Sequence, residues 1–252
     1  TLVIVVSQSG ETADTLAALR EAQDKGAKVI AICNVVGSTI AREADEVLYL
    51  HAGPEIAVAS TKAYITMVMA FYMLAVYFAR SKNLLADEES KELISALDKL
   101  PQQTQKLIDD SEEEIKELAI DCSNQQSTFF IGRSVDNAVA IEGALKLKEI
   151  SYVHAEAYPA GELKHGTLAL VEDGVPVVAL ATQHSVLDKT LSNVKEVKAR
   201  GGVVIGVTLA GEEREIEDLD YRIEIPDTKE LLTGILSVVP LQLLAYYVAV
   251  ER

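Results

Sequence analysis

The densest set of ionisable side chains in this sequence lies between residues 142 and 166. Glu142, Lys146 and Glu149 follow one another at intervals of four and three residues, so a helix would place all three on one face. Segment 138–150 lacks Pro and is rich in Ala, Leu, Lys and Glu, which predicts such a helix. Carboxylates beside an amine can move protons near neutral pH. The alternative is an ordinary solvent-facing Glu–Lys pair, worth only about 0.2–0.5 kcal/mol.

After Ser151 the helical pattern ends, and the composition predicts a loop with further ionisable groups. These groups are His154, Glu156, Glu162, Lys164 and His165. Lys164 and His165 stand between two glycines, Gly161 and Gly166. Because imidazole titrates close to physiological pH, His165 is a candidate acid or base. The alternative is an exposed loop histidine without a chemical role.

A second polar group follows the first predicted strand. Segment 7–12 reads SQSGET and joins an apolar strand, residues 2–6, to a predicted helix, residues 13–25. A helix start offers free backbone N–H groups to an anion, and Ser7, Ser9 and Thr12 add hydroxyl donors. No GxxxxGK[ST] lysine is present, so nothing indicates a nucleoside triphosphate. The alternative is ordinary helix capping by Ser9 or Thr12.

The segment 53–62 precedes a long apolar helix. Val58 and Ser60 would offer backbone and hydroxyl groups to a sugar, because ligands in open α/β sheets gather at the carboxyl ends of the strands. The alternative is a turn and capping sequence. The following stretch, residues 63–79, has no charged residue, but at about 25 Å it is short for a membrane span. We therefore predict a helix that is buried on most sides.

The two ends of the chain resemble each other when shifted by 175 positions. Each half reads strand, helix, strand, strand, helix, which predicts parallel sheets covered by helices on both faces. The second half has an additional opening strand at 128–131 and the helix at 138–150, whose counterparts would precede Thr1. We predict an incomplete first domain at 1–83, interdomain helices at 84–126 and a second domain at 127–252. Three separate helices are expected in the middle segment, one of them starting at Pro101.

Composition narrows the class of protein. The formal net charge is −16, which argues against a nucleic-acid-binding surface. Cys33 and Cys122 have no metal-ligand spacing and fit a reducing cytosol, so a cytoplasmic location is expected. The first residue is Thr and the chain enters a strand at once, so we expect a piece of a longer polypeptide.

Five segments resemble the isomerase domain of the glutamine–fructose-6-phosphate aminotransferase family. They read SQSGET at 7–12, GPEIAVASTKAY at 53–64, EGALKLKEISYVHAEAY at 142–158, GELKHG at 161–166 and VPLQLLAYYVAV at 239–250. The resemblance covers nearly the whole chain. It implies two flavodoxin-like sugar-isomerase (SIS) domains, a homodimer, and conversion of fructose 6-phosphate and ammonia to glucosamine 6-phosphate in amino sugar biosynthesis. It implies neither a metal nor an organic cofactor.

The resemblance also implies roles for particular residues. The phosphate would be held by Ser7, Gln8, Ser9 and Thr12. Val58 and Ser60 would contact the sugar. Glu149 would carry a proton between C1 and C2 with Lys146 nearby, and His165 would assist ring opening across the dimer interface.

Two departures from the family pattern remain. Thr167 stands where the family has Pro, and the family continues beyond the position of Arg252 into a tail with an active-site lysine. A glutamine-hydrolysing domain is also expected outside this chain, so the fragment alone is expected to be inactive. The rival functions are a non-catalytic SIS module that senses sugar phosphates and a related phosphosugar deglycase.

Overall fold

The computed structural model describes residues 1–212 and 218–252. The chain forms two compact units, Thr1–Lys91 and Glu92–Arg252, and each is described by itself.

The first unit is a parallel sheet with helices. Its elements are β1 Leu2–Ser7, α1 Ala13–Asp24, β2 Lys28–Cys33, α2 Thr39–Glu43, β3 Glu46–Tyr49 and α3 Lys62–Ser81. The described strands lie in the order β1-β2-β3, with Val3 paired to Val29 and Ala31 to Val47. Every second strand residue meets apolar residues of α1 and α2, as a covered parallel sheet requires. The core contains Val5, Leu19, Val29, Ala31 and Ile40.

The second unit is a larger parallel sheet. Its elements after the long helix α4 Asp87–Ser123 are β4 Ser127–Gly132, α5 Val135–Ser151, β5 His154–Pro159, β6 Pro176–Ala181, α6 Leu187–Lys198, β7 Val203–Leu209, β8 Tyr221–Ile225 and α7 Thr233–Glu251. Short 3₁₀ turns span Ala160–His165, Thr167–Leu170, His184–Val186 and Glu230–Leu232. The described strands follow the order β5-β4-β6-β7-β8. The predicted α/β class with helix-covered parallel sheets is confirmed.

The internal repeat holds with a small shift in register. β6 and α6 begin and end 174 positions after β1 and α1, whereas β7 begins 175 positions after β2. The turn between α6 and β7 is therefore one residue longer than the turn between α1 and β2. A single shift of 175 positions, as predicted from the sequence, therefore misaligns the loops after β1 and β6 by one residue.

The prediction of three separate helices between the domains was wrong, because Asp87–Ser123 is one continuous helix with Pro101 inside it. A proline inside a helix costs about 3 kcal/mol or more. The helix buries an apolar stripe that includes Leu97, Leu100, Leu107 and Ile115. Burying each such side chain contributes about 1.5–3 kcal/mol, which outweighs the cost of the proline.

The predicted loop after Ser151 was also partly wrong. His154–Pro159 forms the edge strand β5, which pairs in parallel with β4 from Ser127 to Gly132. Charged residues and a terminal Pro are common in edge strands, since only one side of the strand needs backbone partners. Those same features hide the strand from a search for alternating apolar residues.

The prediction that the helix at 63–79 is buried on most sides does not hold for the described residues. Only 11% of the apolar window of α3 is buried, against 72% for the window that includes α7. Both helices are long and apolar enough to cross a membrane by composition alone. Within the second unit α7 packs against α5. Within the described residues of the first unit, no helix packs against α3 to a comparable extent.

Candidate active-site regions

The segment 7–12 forms a compact hydroxyl-lined loop at the carboxyl end of β1. The Ser7 and Thr12 hydroxyl oxygens lie 2.9 Å apart, and Ser7 Oγ accepts a hydrogen bond from the Gly10 N–H at 3.0 Å. Ser9 Oγ accepts one from the Glu11 N–H at 3.2 Å. Within the described residues no side chain caps the N-terminus of α1, so the capping alternative for Ser9 or Thr12 is not realised. The loop therefore combines free helix N–H groups with three hydroxyls, as an anion site requires.

Gly10 is required by the geometry of this loop. Its φ is +66°, and a Cβ placed on it would lie 2.0 Å from Ser38 Oγ. Any larger side chain would push the loop away from the start of α2.

Glu11 anchors the same loop to a neighbouring helix. Its Oε1 accepts a hydrogen bond from the Thr39 N–H at 2.8 Å, at the first residue of α2. Hydrogen bonds from Thr39, with Arg42 nearby, lower the pKa of this carboxyl. Its negative charge is thus compensated at a helix N-terminus.

The segment 55–61 is held in a similar way. Glu55 Oε1 accepts hydrogen bonds from the backbone N–H groups of Thr61, at 3.0 Å, and Ala63, at 2.9 Å. These bonds cap α3 and close the intervening loop. Val58 is 97% exposed, whereas the Ser60 hydroxyl is buried and has no hydrogen-bond partner in the described part of the chain. A buried hydroxyl without a partner is costly, which favours a ligand contact over a simple turn.

Asn34, which was not predicted from the sequence, fixes residues 52 and 53 directly before the segment 55–61. Its side chain donates to the Gly53 carbonyl at 2.7 Å and accepts from the Ala52 N–H at 2.9 Å. It follows β2 directly, so it ties the segment to the carboxyl end of the sheet. A polar residue directly after a buried strand was the available signal.

Glu142, Lys146 and Glu149 share one helix face, as predicted, but that face is not open to solvent. Lys146 Nζ lies 2.7 Å from Glu149 Oε2 and 3.4 Å from Glu142 Oε1. The exposed fractions of the side chains are 4% for Lys146, 13% for Glu142 and 31% for Glu149. The surface-pair alternative therefore fails. Burial raises the pKa of Glu142, while the ammonium of Lys146 opposes the rise and Glu149 adds to it.

Glu149 lies in the last turn of α5 and keeps access to solvent. The helix ends at Tyr152, a left-handed residue with φ +62° and ψ +13°, after which the chain enters β5. A paired carboxylate at a helix end, fixed by a buried ammonium, is positioned to accept and return a proton.

His165 is placed apart from this group. It lies at the end of the 3₁₀ turn Ala160–His165 and is exposed. Among residues 1–212 and 218–252, no hydrogen bond or ion pair joins it to Lys146 or Glu149. His154 and Glu156, from the same predicted loop, lie 3.6 Å apart on β5.

A buried network around Asp136 also escaped sequence reasoning. The Asp136 carboxylate accepts from both the backbone N–H and the hydroxyl of Thr182, at the carboxyl end of β6. Burial raises its pKa to about 6, although the bonds from Thr182 and Gln183 act in the opposite direction. An acidic residue near the start of α5 was the only local signal, and it resembles a common helix-start residue.

The second unit also has a cavity of about 670 Å³ that contains none of the predicted site residues. It lies between α4 and the carboxyl ends of β7 and β8, and its lining includes Gln103, Lys106, Glu114, Arg222 and Asp227. No group of three or more His, Cys, Asp or Glu residues in the described ranges could hold a metal ion.

Comparison with known proteins places these features in a family. The SIS domain model matches residues 1–77 and 122–252. The isomerizing glutamine–fructose-6-phosphate aminotransferase of Caldanaerobacter subterraneus subsp. tengcongensis is 59% identical over 251 residues, which is 100% of this chain and 41% of that protein. The enzyme of the same name from Clostridium tetani is 55% identical over 252 residues, again 100% and 41%. The chain thus spans about two fifths of the length of these curated relatives.

Comparison with solved structures leads to the same family. The C-terminal domain of glucosamine–fructose-6-phosphate aminotransferase from Francisella tularensis matches with a TM-score of 0.94 and 40% identity, over 99% of this chain and 71% of that one. Glucosamine-6-phosphate deaminase from Thermotoga maritima shares the fold, with a TM-score of 0.77 at 24% identity over 100% of this chain and 70% of that one. The chain therefore belongs to the SIS domain family, in the group formed by the C-terminal domains of the glutamine–fructose-6-phosphate aminotransferases.

Proposed function

We propose that this chain is the sugar-phosphate isomerase part of an enzyme that converts fructose 6-phosphate and ammonia to glucosamine 6-phosphate. The observation that carries the proposal is the buried Lys146 beside Glu149 at the end of α5. A module that only senses sugar phosphates would need an anion loop but no such carboxylate–ammonium pair. The names of the relatives, at 59% and 55% identity, support the reaction.

In this proposal the phosphate lies at the N-terminus of α1. Ser7, Gln8, Ser9 and Thr12 surround it with hydroxyl, amide and backbone N–H donors. Since the net charge of the chain is −16, the general field repels a sugar phosphate and local donors must supply the affinity. The orphaned hydroxyl of Ser60 and the exposed Val58 backbone are assigned to the sugar.

The chemistry assigned to α5 is a proton transfer. His165 protonates the ring oxygen, the sugar opens, and ammonia forms an imine at C2 with loss of water. The Glu149 carboxylate then removes a proton from C1; the C–H electron pair forms a C1=C2 double bond, and the imine electron pair moves to nitrogen, which takes a proton from solvent to give an enaminol. Glu149 returns a proton to C2 while the C1 hydroxyl loses its proton to solvent, which leaves an aldehyde at C1 and an amine at C2. Lys146 Nζ, 2.7 Å from Glu149 Oε2, holds the Glu149 side chain in place for the two transfers.

The remaining assignments concern partners and location. A homodimer would bring His165 of one subunit to the site of the other. This agrees with the exposed position of His165 and with the absence of a bond from it to Lys146 or Glu149 among the described residues. A glutaminase domain would supply the ammonia. Free, buried Cys33 and Cys122 fit a cytoplasmic location.

Replacing Glu149 with Gln tests the catalytic assignment. The change keeps size and hydrogen bonding but removes the base, so turnover should fall about 10²–10⁴-fold while sugar-phosphate affinity survives. The assay measures glucosamine 6-phosphate formed from ammonia in a form of the chain extended to the length of its relatives. Glu142→Gln is the matched control, because it also contacts Lys146 but has no assigned proton transfer. A Glu149→Gln enzyme with full turnover and only a raised KM would make Glu149 a binding residue.

The phosphate assignment has its own test. Ser9→Ala with Thr12→Ala removes two hydroxyls from the loop and should weaken glucose 6-phosphate binding, measured by titration calorimetry. Two lost hydrogen bonds to a charged group correspond to roughly a hundredfold or greater loss of affinity. Ser185→Ala, in the loop after β6, is the control. Equal affinity in the double variant and the control would place the phosphate elsewhere.

A further inference from the structure

The loop after β6 in the second unit is the structural counterpart of the anion loop after β1. Because β6 and α6 lie 174 positions after β1 and α1, Thr182 and Gln183 correspond to Gln8 and Ser9. Both loops leave the carboxyl end of a parallel strand, where backbone N–H groups become free to bind a ligand. The loop after β6, however, is not open.

The Asp136 carboxylate occupies that loop. Oδ2 accepts from the Thr182 N–H at 2.8 Å, and Oδ1 accepts from the Thr182 hydroxyl. The backbone N–H of Gln183 also acts on this carboxylate, because it lowers the pKa of Asp136 against the effect of burial. Backbone N–H groups beside a hydroxyl are the kind of donors that bind oxyanions in proteins.

A carboxylate in such a place is unusual because it is buried without a cation. Asp136 is 1% exposed, and the ion pairs between described residues include none to its carboxylate. Its charge is therefore held by the donors of the loop, in the way that a bound anion would be.

A second layer of hydrogen bonds holds these donors in position independently of Asp136. Gln183 Nε2 donates to Thr233 Oγ1 at 2.8 Å and to the Glu230 carbonyl at 3.3 Å. Thr233 Oγ1 also lies 3.1 Å from Thr182 Oγ1 and 3.0 Å from the Glu230 carbonyl. Thr182, Gln183 and Thr233 are all buried, so their arrangement should persist when the carboxylate is removed.

We propose that the loop after β6 is an oxyanion site that the chain fills with its own Asp136 carboxylate, so that removing this carboxylate opens the site to a small free carboxylate. The proposal concerns the second unit alone and does not depend on the sugar-phosphate chemistry assigned above. In the native chain it explains why one repeat presents an open anion loop and the other does not.

The test is chemical rescue of Asp136→Ala by formate. The variant keeps the Cβ and lacks only the carboxylate, which formate supplies. Urea unfolding is followed in sodium formate and in sodium chloride at equal concentration. With formate at ten times its Kd, the folded-to-unfolded ratio of the variant should rise about tenfold.

Two controls define the result. Val139→Ala, one turn further along α5 and also buried, makes a cavity without those donors and should show no preference for formate. Any difference between the unfolding curves of wild type in formate and in chloride measures the effect of formate elsewhere on the chain. If Asp136→Ala folds only in formate, no unfolding curve can be measured in chloride. A higher refolding yield in formate than in chloride then supports the proposal. Equal behaviour of the variant in formate and chloride, whether it is folded or unfolded in both, would overturn it.

Discussion

Replacing Glu55 with Ala should loosen the loop that carries Val58 and Ser60. One carboxylate oxygen accepts two backbone hydrogen bonds, from Thr61 and Ala63, and the side chain of the N-cap residue Thr61 does not cap the helix. Loss of an N-terminal cap costs about 0.5–2 kcal/mol, and hydrogen bonds to a charged group are at the upper end of such values. We therefore expect local opening to become easier by about 2 kcal/mol.

Hydrogen exchange of the Thr61 and Ala63 amides measures this effect locally, which is preferable in a chain of two units. A change of about 2 kcal/mol corresponds to exchange roughly 30-fold faster. Glu55→Gln keeps an acceptor oxygen and loses only the charge near the helix end, so its effect should be about 0.3–1 kcal/mol.

Glu46→Ala, at an exposed position of β3 in the same unit, is the matched control and should leave both amides unchanged. Glucose 6-phosphate affinity should fall in the order wild type, Glu55→Gln, Glu55→Ala. Exchange in Glu55→Ala as slow as in wild type would refute the capping role and the positioning that we derive from it.

The remaining predictions concern the second unit. Ser134 has φ +56° and ψ −130°, a conformation that costs a residue with a side chain about 1–3 kcal/mol. Ser134→Gly should therefore raise the urea midpoint of unfolding. Tyr152 has ordinary left-handed geometry, so Tyr152→Gly should raise that midpoint by less. Failure of Ser134→Gly to exceed Tyr152→Gly would argue against backbone strain. Asp136 has its pKa raised to about 6 by burial, with Glu230 adding to the rise, so the folded state binds the proton more tightly than the unfolded state. The stability of wild type relative to Asp136→Asn should therefore fall as pH rises from about 4 to 6, by on the order of 3 kcal/mol, and be constant above about pH 7. A difference between the two chains that does not change over this range would refute the assignment.

The alternation of apolar strands and helices was sufficient to predict the fold class and the internal repeat. Burial of both faces of a parallel sheet produces continuous apolar runs, and these are local properties of the sequence. The hydroxyl-rich turn before α1 and the shared face of Glu142, Lys146 and Glu149 were predictable for the same reason, since strand ends and helical spacing follow from neighbouring residues. The edge strand β5 and the continuous helix α4 could not be predicted in this way. The charged residues of β5 and Pro101 inside α4 hide the weak local patterns of a strand and of a single helix.

The tertiary structure decided which of those patterns are buried and what pairs with them. Periodicity places Lys146 between two carboxylates, but only packing of α5 within the second unit reduces its exposure to 4% and rules out a surface ion pair. The same limit applies to α3 and α7, which have similar compositions and opposite burial. In the part of the chain that the structure describes, α5 packs against α7, and no helix packs against α3 to that extent. The Asp136 network joins residues 46 and more positions apart. Its partners meet only where parallel strands end together, so local sequence could not have predicted it.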